Sequence, residues 1–216
     1  MVAHANPRLM TLEEWAELDD GESGELVDGY LEEEEMGSFI HDFVVLWLGS
    51  LLLQWIAPRG GHAAASEVKF GVTTNRGRKP DLTVFFPGRR PEPRGLVRLP
   101  PDIAVEVISH APRDRRRDRV AKLSEYAAFG IRYYWLVDPD ARIVEIFELG
   151  SDGRYVLALG AFEGRITSVP GCEGLELHLD DLWLQLDRLE GHDSPEAAEA
   201  EEIPAPPEAG PPEDVQ

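Results

Sequence analysis

Apolar residues along this chain recur with two periods, one helical and one alternating, and the order of those stretches sketches a fold. From Phe39 to Ile56 the residues Ile40, Val44, Trp47, Leu48, Leu51 and Trp55 fall at helical spacing but exceed a single face, which predicts a long helix buried on two sides. A sheet and a second protein layer can provide that cover, or a second subunit can, so a homodimer seam is expected here or on the late strands. Short apolar runs predict strands at Glu67 to Val72, Leu82 to Phe86, Asp102 to Ser109, Ile131 to Val137, Arg142 to Glu148, Arg154 to Ala158 and Leu175 to Leu179. Thr11-Leu12-Glu13-Glu14 is a capping box that opens a short helix through Leu18. Asp28-Gly29 between Glu25-Leu26-Val27 and Tyr30-Leu31 is a hairpin signal, since both turn positions tolerate positive φ. Thr74 to Arg78 and Asp138 to Ala141 read as turns, and Asp114 to Phe129 as a helix capped by Gly130. Elements alternating early and hairpins later predict an α/β domain with a mixed central sheet flanked by helices, and with β-hairpins at its N-terminal and C-terminal ends.

Two of these strands break their own pattern. Asp81 precedes Leu82-Thr83-Val84-Phe85-Phe86, and Glu106 sits inside Val105-Glu106-Val107-Ile108. A carboxylate among residues that want burial is costly unless it is paired, hydrogen-bonded or bound to a metal. Either acid alone is most simply half of a structural ion pair, but two of them ask for a shared cation, and Mg²⁺ or Mn²⁺ is the expected one. Pro80 suits the first position of a strand, and Ala104 leaves space beside Glu106. On the following helix Asp118, Lys122 and Tyr126 stand four apart and share a face, so Lys122 could be delivered to the ends of the two strands. Two acids and a lysine form the pattern of a hydrolytic metal site.

Composition narrows the partners. At 216 residues and 43% hydrophobic content the chain suffices for one domain, expected over residues 1–190, with a core of its own. Residues 191–216 hold eight acids, many prolines and no lysine or arginine, a composition expected to stay disordered. Without them the formal charge of -20 falls to -12, which excludes a broadly basic nucleic-acid platform and makes any DNA contact local. The clearest local feature is the arginine cluster of residues 113, 115, 116, 117 and 119, from which Arg115 and Arg119 are expected phosphate contacts on charge alone, the alternative being a solvated face paired with acids. Arg89 to Arg94 forms a proline-broken loop that could touch a phosphate backbone as well. The single Cys172 fits a reducing compartment, so a cytoplasmic location is expected. The apolar run at Phe43 to Ile56 is too short and too interrupted for a bilayer span.

Taken together, Gly24 to Gly29, His41, Pro80-Asp81, Asp102 to Ser109 with Glu106, Asp118, Lys122, Tyr126, Gly130 and Tyr134 to Pro139 resemble the Uma restriction-endonuclease family of the PD-(D/E)xK nuclease superfamily. The resemblance covers residues 11 to 150 and departs from the superfamily pattern at Ile108, where a lysine is usual. It implies that the catalytic lysine has moved to Lys122; Tyr126 and Asp118, on the same helix face, would position it. It adds Glu25 and His41 to the site, although Glu25 also reads as an exposed hairpin residue and His41 as a structural histidine. It further implies a metal-dependent endonuclease acting on DNA by in-line attack that leaves a 5′-phosphate. A noncatalytic binding or assembly module on the nuclease fold is the alternative from another class, and a metal enzyme acting on a small phosphorylated substrate is a third.

Overall fold

Leu82–Phe85 (β6) and Ile103–Val107 (β7) lie side by side, and every residue of both is buried. The computed structural model describes residues 9–18, 24–32, 37–109 and 117–191. Tyr133–Asp138 (β8), buried throughout, runs parallel to β7, while the other strand pairings of the central sheet are antiparallel. With His62–Ala65 (β3), Ile143–Leu149 (β9) and Tyr155–Ala161 (β10) they form a six-stranded mixed sheet in the order β10-β9-β8-β7-β6-β3. The parallel β7–β8 pair requires a crossover, and the connection carries the helix Leu123–Phe129 (α3). Gly130, in the left-handed conformation at φ 94°, closes that helix as expected.

The period of two along β7 sorts its side chains between two cores. Val84, Ile103, Val105 and Val107 pack with Trp135, Trp183 and the helices Phe39–Ile56 (α2) and Leu179–Leu189 (α4). Phe85, Ala104 and Ile108 face the other way, toward Tyr126 of α3, Tyr134 and Leu136. Glu106 shares the parity of Ala104 and Ile108, so it is delivered to the α3 side of the sheet.

A second, four-stranded sheet follows the order β2-β1-β5-β4: Tyr30–Glu32 (β2), Glu25–Val27 (β1), Arg76–Arg78 (β5) and Phe70–Thr73 (β4). The helix Leu12–Ala16 (α1), opened by the expected capping box at Thr11, seals it with Trp15 and Leu26. A Cβ on Gly77 would stand 2.2 Å from the Trp15 ring, so this close approach requires glycine. Arg165–Ile166 (β11) and Leu177–His178 (β12) form a small third sheet.

Several expectations change. Thr74 to Arg78 is not all turn, because Arg76–Arg78 pairs with both β1 and β4. The strand expected at Glu67 begins at Phe70, and Glu67 itself is left-handed at φ 74°. Leu179 ends no strand; it begins an eleven-residue helix whose Leu179, Leu182, Trp183 and Leu186 are buried, a helical spacing that was readable in the sequence. The backbone from Arg117 to Lys122 winds as a π-helix before α3 rather than as the expected α-helix. α2 buries Val44, Leu48, Leu52 and Ile56, but Phe39, Leu46 and Leu53 are 73%, 72% and 50% exposed. Within one chain it is therefore covered on one side, not two. By length and composition α2 could cross a membrane, yet its buried side belongs to the core beneath the sheet. Glu33 to Glu35, residues 110–116 with Arg113, Arg115 and Arg116, the side chains of Arg117 and Asp118, and the acidic segment beyond residue 191 lie outside the described residues.

Candidate active site

The site grows from the point where β6 and β7 part. Their register pairs Leu82 with Val105, so the next residues out, Asp81 and Glu106, come opposite one another. The Val107 N–H donates to Asp81 Oδ2 at 2.7 Å, which fixes the Asp81 carboxylate against the β7 backbone next to Glu106. Asp81 keeps 17% of its side chain exposed, whereas Glu106 is buried. His41, in the first turn of α2, places Nε2 3.4 Å from Asp81 Oδ2 and Nδ1 3.2 Å from Asp42 Oδ1. Burial opposes charge on this imidazole, but the hydrogen bonds and attraction of Asp81 and Asp42 outweigh it and raise its pKa to about 9. His41 therefore faces Asp81.

Glu106 receives two donors from the helix side. Lys122 Nζ donates to Oε2 at 2.8 Å and the Tyr126 hydroxyl to Oε1 at 2.6 Å. Burial, then the neighbouring negative charge of Glu106, hold the Tyr126 phenol well above its ordinary pKa, so it remains a donor. Lys122 is also 3.4 Å from Glu25 Oε1. Glu25 is fully buried, which overturns its reading as an exposed hairpin residue. Its carboxylate accepts from Arg78 Nη1 at 2.6 Å and from the Lys79 N–H at 3.2 Å.

Arg78, which the sequence reading took for part of a turn, is 1% exposed. Its Nε and Nη2 donate to Glu125 Oε2 and Oε1 at 2.7 and 3.0 Å, so one guanidinium spans Glu25 on β1 and Glu125 on α3. Burial disfavours its charge, yet Glu25 and Glu125 together raise its pKa. Arg76 pairs with Glu125 as well and reaches Asp28 at 2.7 Å. Three buried acids, Glu25, Glu106 and Glu125, are thus matched by Arg78, Lys122 and Arg76. The signal for Arg78 was present, since it alternates with Arg76 about Gly77, but only the β1–β5 pairing reveals that it points inward.

Arg119 pairs with Glu145 and lies 3.4 Å from Asp138, its side chain 37% exposed. Arg115, the other expected phosphate contact, lies outside the described residues. Arg89 is tied back to Pro100 O and to Asp102 at 3.3 Å. Among the described residues no group of three His, Cys, Asp or Glu side chains could hold a metal. Two carboxylates at adjacent strand positions still suit Mg²⁺, which keeps several waters and binds through one or two carboxylates plus substrate phosphate oxygens.

A family model described as "Uma2: Putative restriction endonuclease" matches residues 10–180. Among solved structures, that of a putative nuclease belonging to DUF820 from Anabaena variabilis ATCC 29413 is similar, with a TM-score of 0.65 at 20% identity over 82% of this chain and 99% of the other. At that identity the likeness establishes the fold. No curated protein matches the sequence.

Proposed function

Because the chain belongs to the Uma2 family of restriction endonucleases, we propose that it is a metal-dependent endonuclease that hydrolyses phosphodiester bonds in DNA. The observation that carries this reading is the juxtaposition of Asp81 and Glu106 across the β6–β7 register, with Lys122 brought to Glu106 from the helix. Asp81 and Glu106 would hold Mg²⁺ or Mn²⁺, and the ion would polarise a phosphoryl oxygen and acidify a bound water. Lys122 stands where it can orient the attacking water or stabilise charge developing on the phosphate. Tyr126 holds the Glu106 carboxylate at the oxygen opposite to the one Lys122 meets, and His41 stands at the Asp81 oxygen that also accepts from the Val107 N–H. Arg119, partly exposed, is a candidate phosphate contact.

The reading extends to a second copy of the chain packed on the exposed side of α2, and to a cytoplasmic setting consistent with Cys172, a free buried thiol whose pKa burial raises to about 12. A noncatalytic module is the second reading, favoured by one observation: both oxygens of Glu106 are already engaged within the protein, by Lys122 and Tyr126. Nicking of supercoiled plasmid with Mg²⁺ or Mn²⁺, compared with EDTA, decides between them. Metal-dependent nicking supports the endonuclease; intact plasmid under all conditions supports the module.

A further inference from the structure

The usual lysine of the superfamily pattern stands two residues beyond its acid on the same strand, where the strand itself sets the distance between them. In this chain that position is Ile108, and Lys122 comes from a different element, sixteen residues after Glu106. The backbone at Lys122 is the last of a π-helical stretch, so local helix geometry does not fix its reach either. Something else must set its position. Besides Glu106, its Nζ meets Glu25, from the second sheet, at 3.4 Å.

We propose that Glu25 and Arg78 are a positioning pair: the four-stranded sheet acts as a jig that holds the relocated Lys122 in register with Glu106. Three connections support this. Glu25 is held at both oxygens, by Arg78 Nη1 at 2.6 Å and the Lys79 N–H at 3.2 Å, so its position follows the β1–β5 pairing. Arg78 uses its remaining nitrogens to clamp Glu125, three residues beyond Lys122, at 2.7 and 3.0 Å. The same guanidinium thus fixes both the acid that faces Lys122 and the helix that carries it. Arg76 adds a second tie from β5 to Glu125. A planar fork suits this task, because its N–H groups point in fixed directions and can pair with a carboxylate bidentately, whereas an ammonium acts as a point charge. The arrangement also gives Glu25 a role other than metal ligand: Lys122 lies between it and Glu106.

The inference rests on the nuclease reading for its catalytic consequence, but its geometric content can be tested without turnover. The full chain is labelled with ¹⁵N-lysine and the Lys122 ammonium is identified by its absence in Lys122→Met. The parent should show a Lys122 Nζ resonance protected from exchange; in Glu25→Gln and Arg78→Lys it should broaden or lose protection, while Glu25→Asp, which keeps the charge, should restore part of it. An unchanged resonance in Glu25→Gln and Arg78→Lys would overturn the proposal whether or not the protein cleaves DNA. With cleavage, Glu25→Gln should lower kcat on the order of a hundredfold, as a misplacement of about 1 Å can, with KM and Mg²⁺ affinity nearly unchanged. In the Lys122→Met background the same change should cost nothing further, because its effect passes through the lysine. Losses that multiply, or weakened Mg²⁺ binding in Glu25→Gln, would make Glu25 an independent site group and refute the jig. A parent that cleaves nothing, with the protected resonance behaving as described, would fail the nuclease reading alone.

Discussion

Lys122 and Glu106 meet at 2.8 Å, both buried, though one lies at the start of a helix and the other within a strand of the central sheet. The pair joins a carboxylate on β7 and a cation over the same face, and Glu25 and Arg78 stand behind it. Removing either member leaves a buried charge with less compensation than before, so catalytic and structural effects must be separated.

Lys122→Met should reduce the rate of plasmid nicking on the order of a hundredfold while DNA affinity stays close to that of the parent. Asp81→Asn and Glu106→Gln should abolish cleavage and weaken Mg²⁺ binding, whereas Lys122→Met should leave metal binding intact or tighten it by removing a nearby positive charge. Calorimetric Mg²⁺ titration of the three variants beside the nicking assay checks this. Wild-type cleavage by Lys122→Met with both carboxylate variants dead would remove the lysine from the mechanism and leave the metal site.

Arg78→Met should destabilise the fold by about 3–5 kcal/mol, since it removes the buried cation that Glu25 and Glu125 share and leaves their charge less compensated. Arg132→Met, whose guanidinium is 60% exposed and 3.5 Å from Glu148, should change stability by less than about 1 kcal/mol. Urea unfolding of both variants reads the difference; equal effects would mean that the buried network contributes no more than a surface pair.

His41 should titrate near pH 9 in metal-free protein. Its folded-state pKa is raised above an unfolded value of about 6.5, so the stability it contributes is fully present below pH 6.5 and is lost as pH rises through 9. Asp81→Asn removes the principal partner and should bring the titration down toward the ordinary value. NMR titration of the imidazole in EDTA gives both numbers, and a parent midpoint below 7 would show that the Asp81 contact does not form in solution.

The exposed side of α2, with Phe39, Leu46 and Leu53, should be covered by a second copy of the chain. Light scattering should give twice the chain mass, and Leu46→Glu should return it to the single-chain value without unfolding. A monomeric parent at micromolar concentration would rule the dimer out.

Truncation after Glu190 should leave the melting temperature unchanged and strengthen nonspecific DNA binding at low salt, because eight acids that compete with phosphates are removed. A markedly lower melting temperature would show that residues 191–216 belong to the folded domain.

Much of this protein was decided locally and could be read locally. The run from Phe39 to Ile56 is a helix at the bounds its apolar spacing set, Thr11 caps α1, Asp28-Gly29 turns a hairpin, and Asp81 and Glu106 stand out because their neighbours are apolar. The mixed sheet follows from strands of the right length separated by a helix. What the sequence could not decide were relationships between elements far apart in the chain. Glu25 looked exposed because a hairpin residue has no local reason to be buried; it became buried when β5 paired with β1 and brought Arg78 beside it. Arg76 and Arg78 read as part of a turn for the same reason: their partners are about fifty residues away, and an ion pair leaves no periodic signature. The π-helical turn before α3 was hidden because residues 117–122 have ordinary helical composition. Local patterning set which residues fold into which element, and long-range charge pairing, available only once the two sheets meet, set which of those residues surround the site.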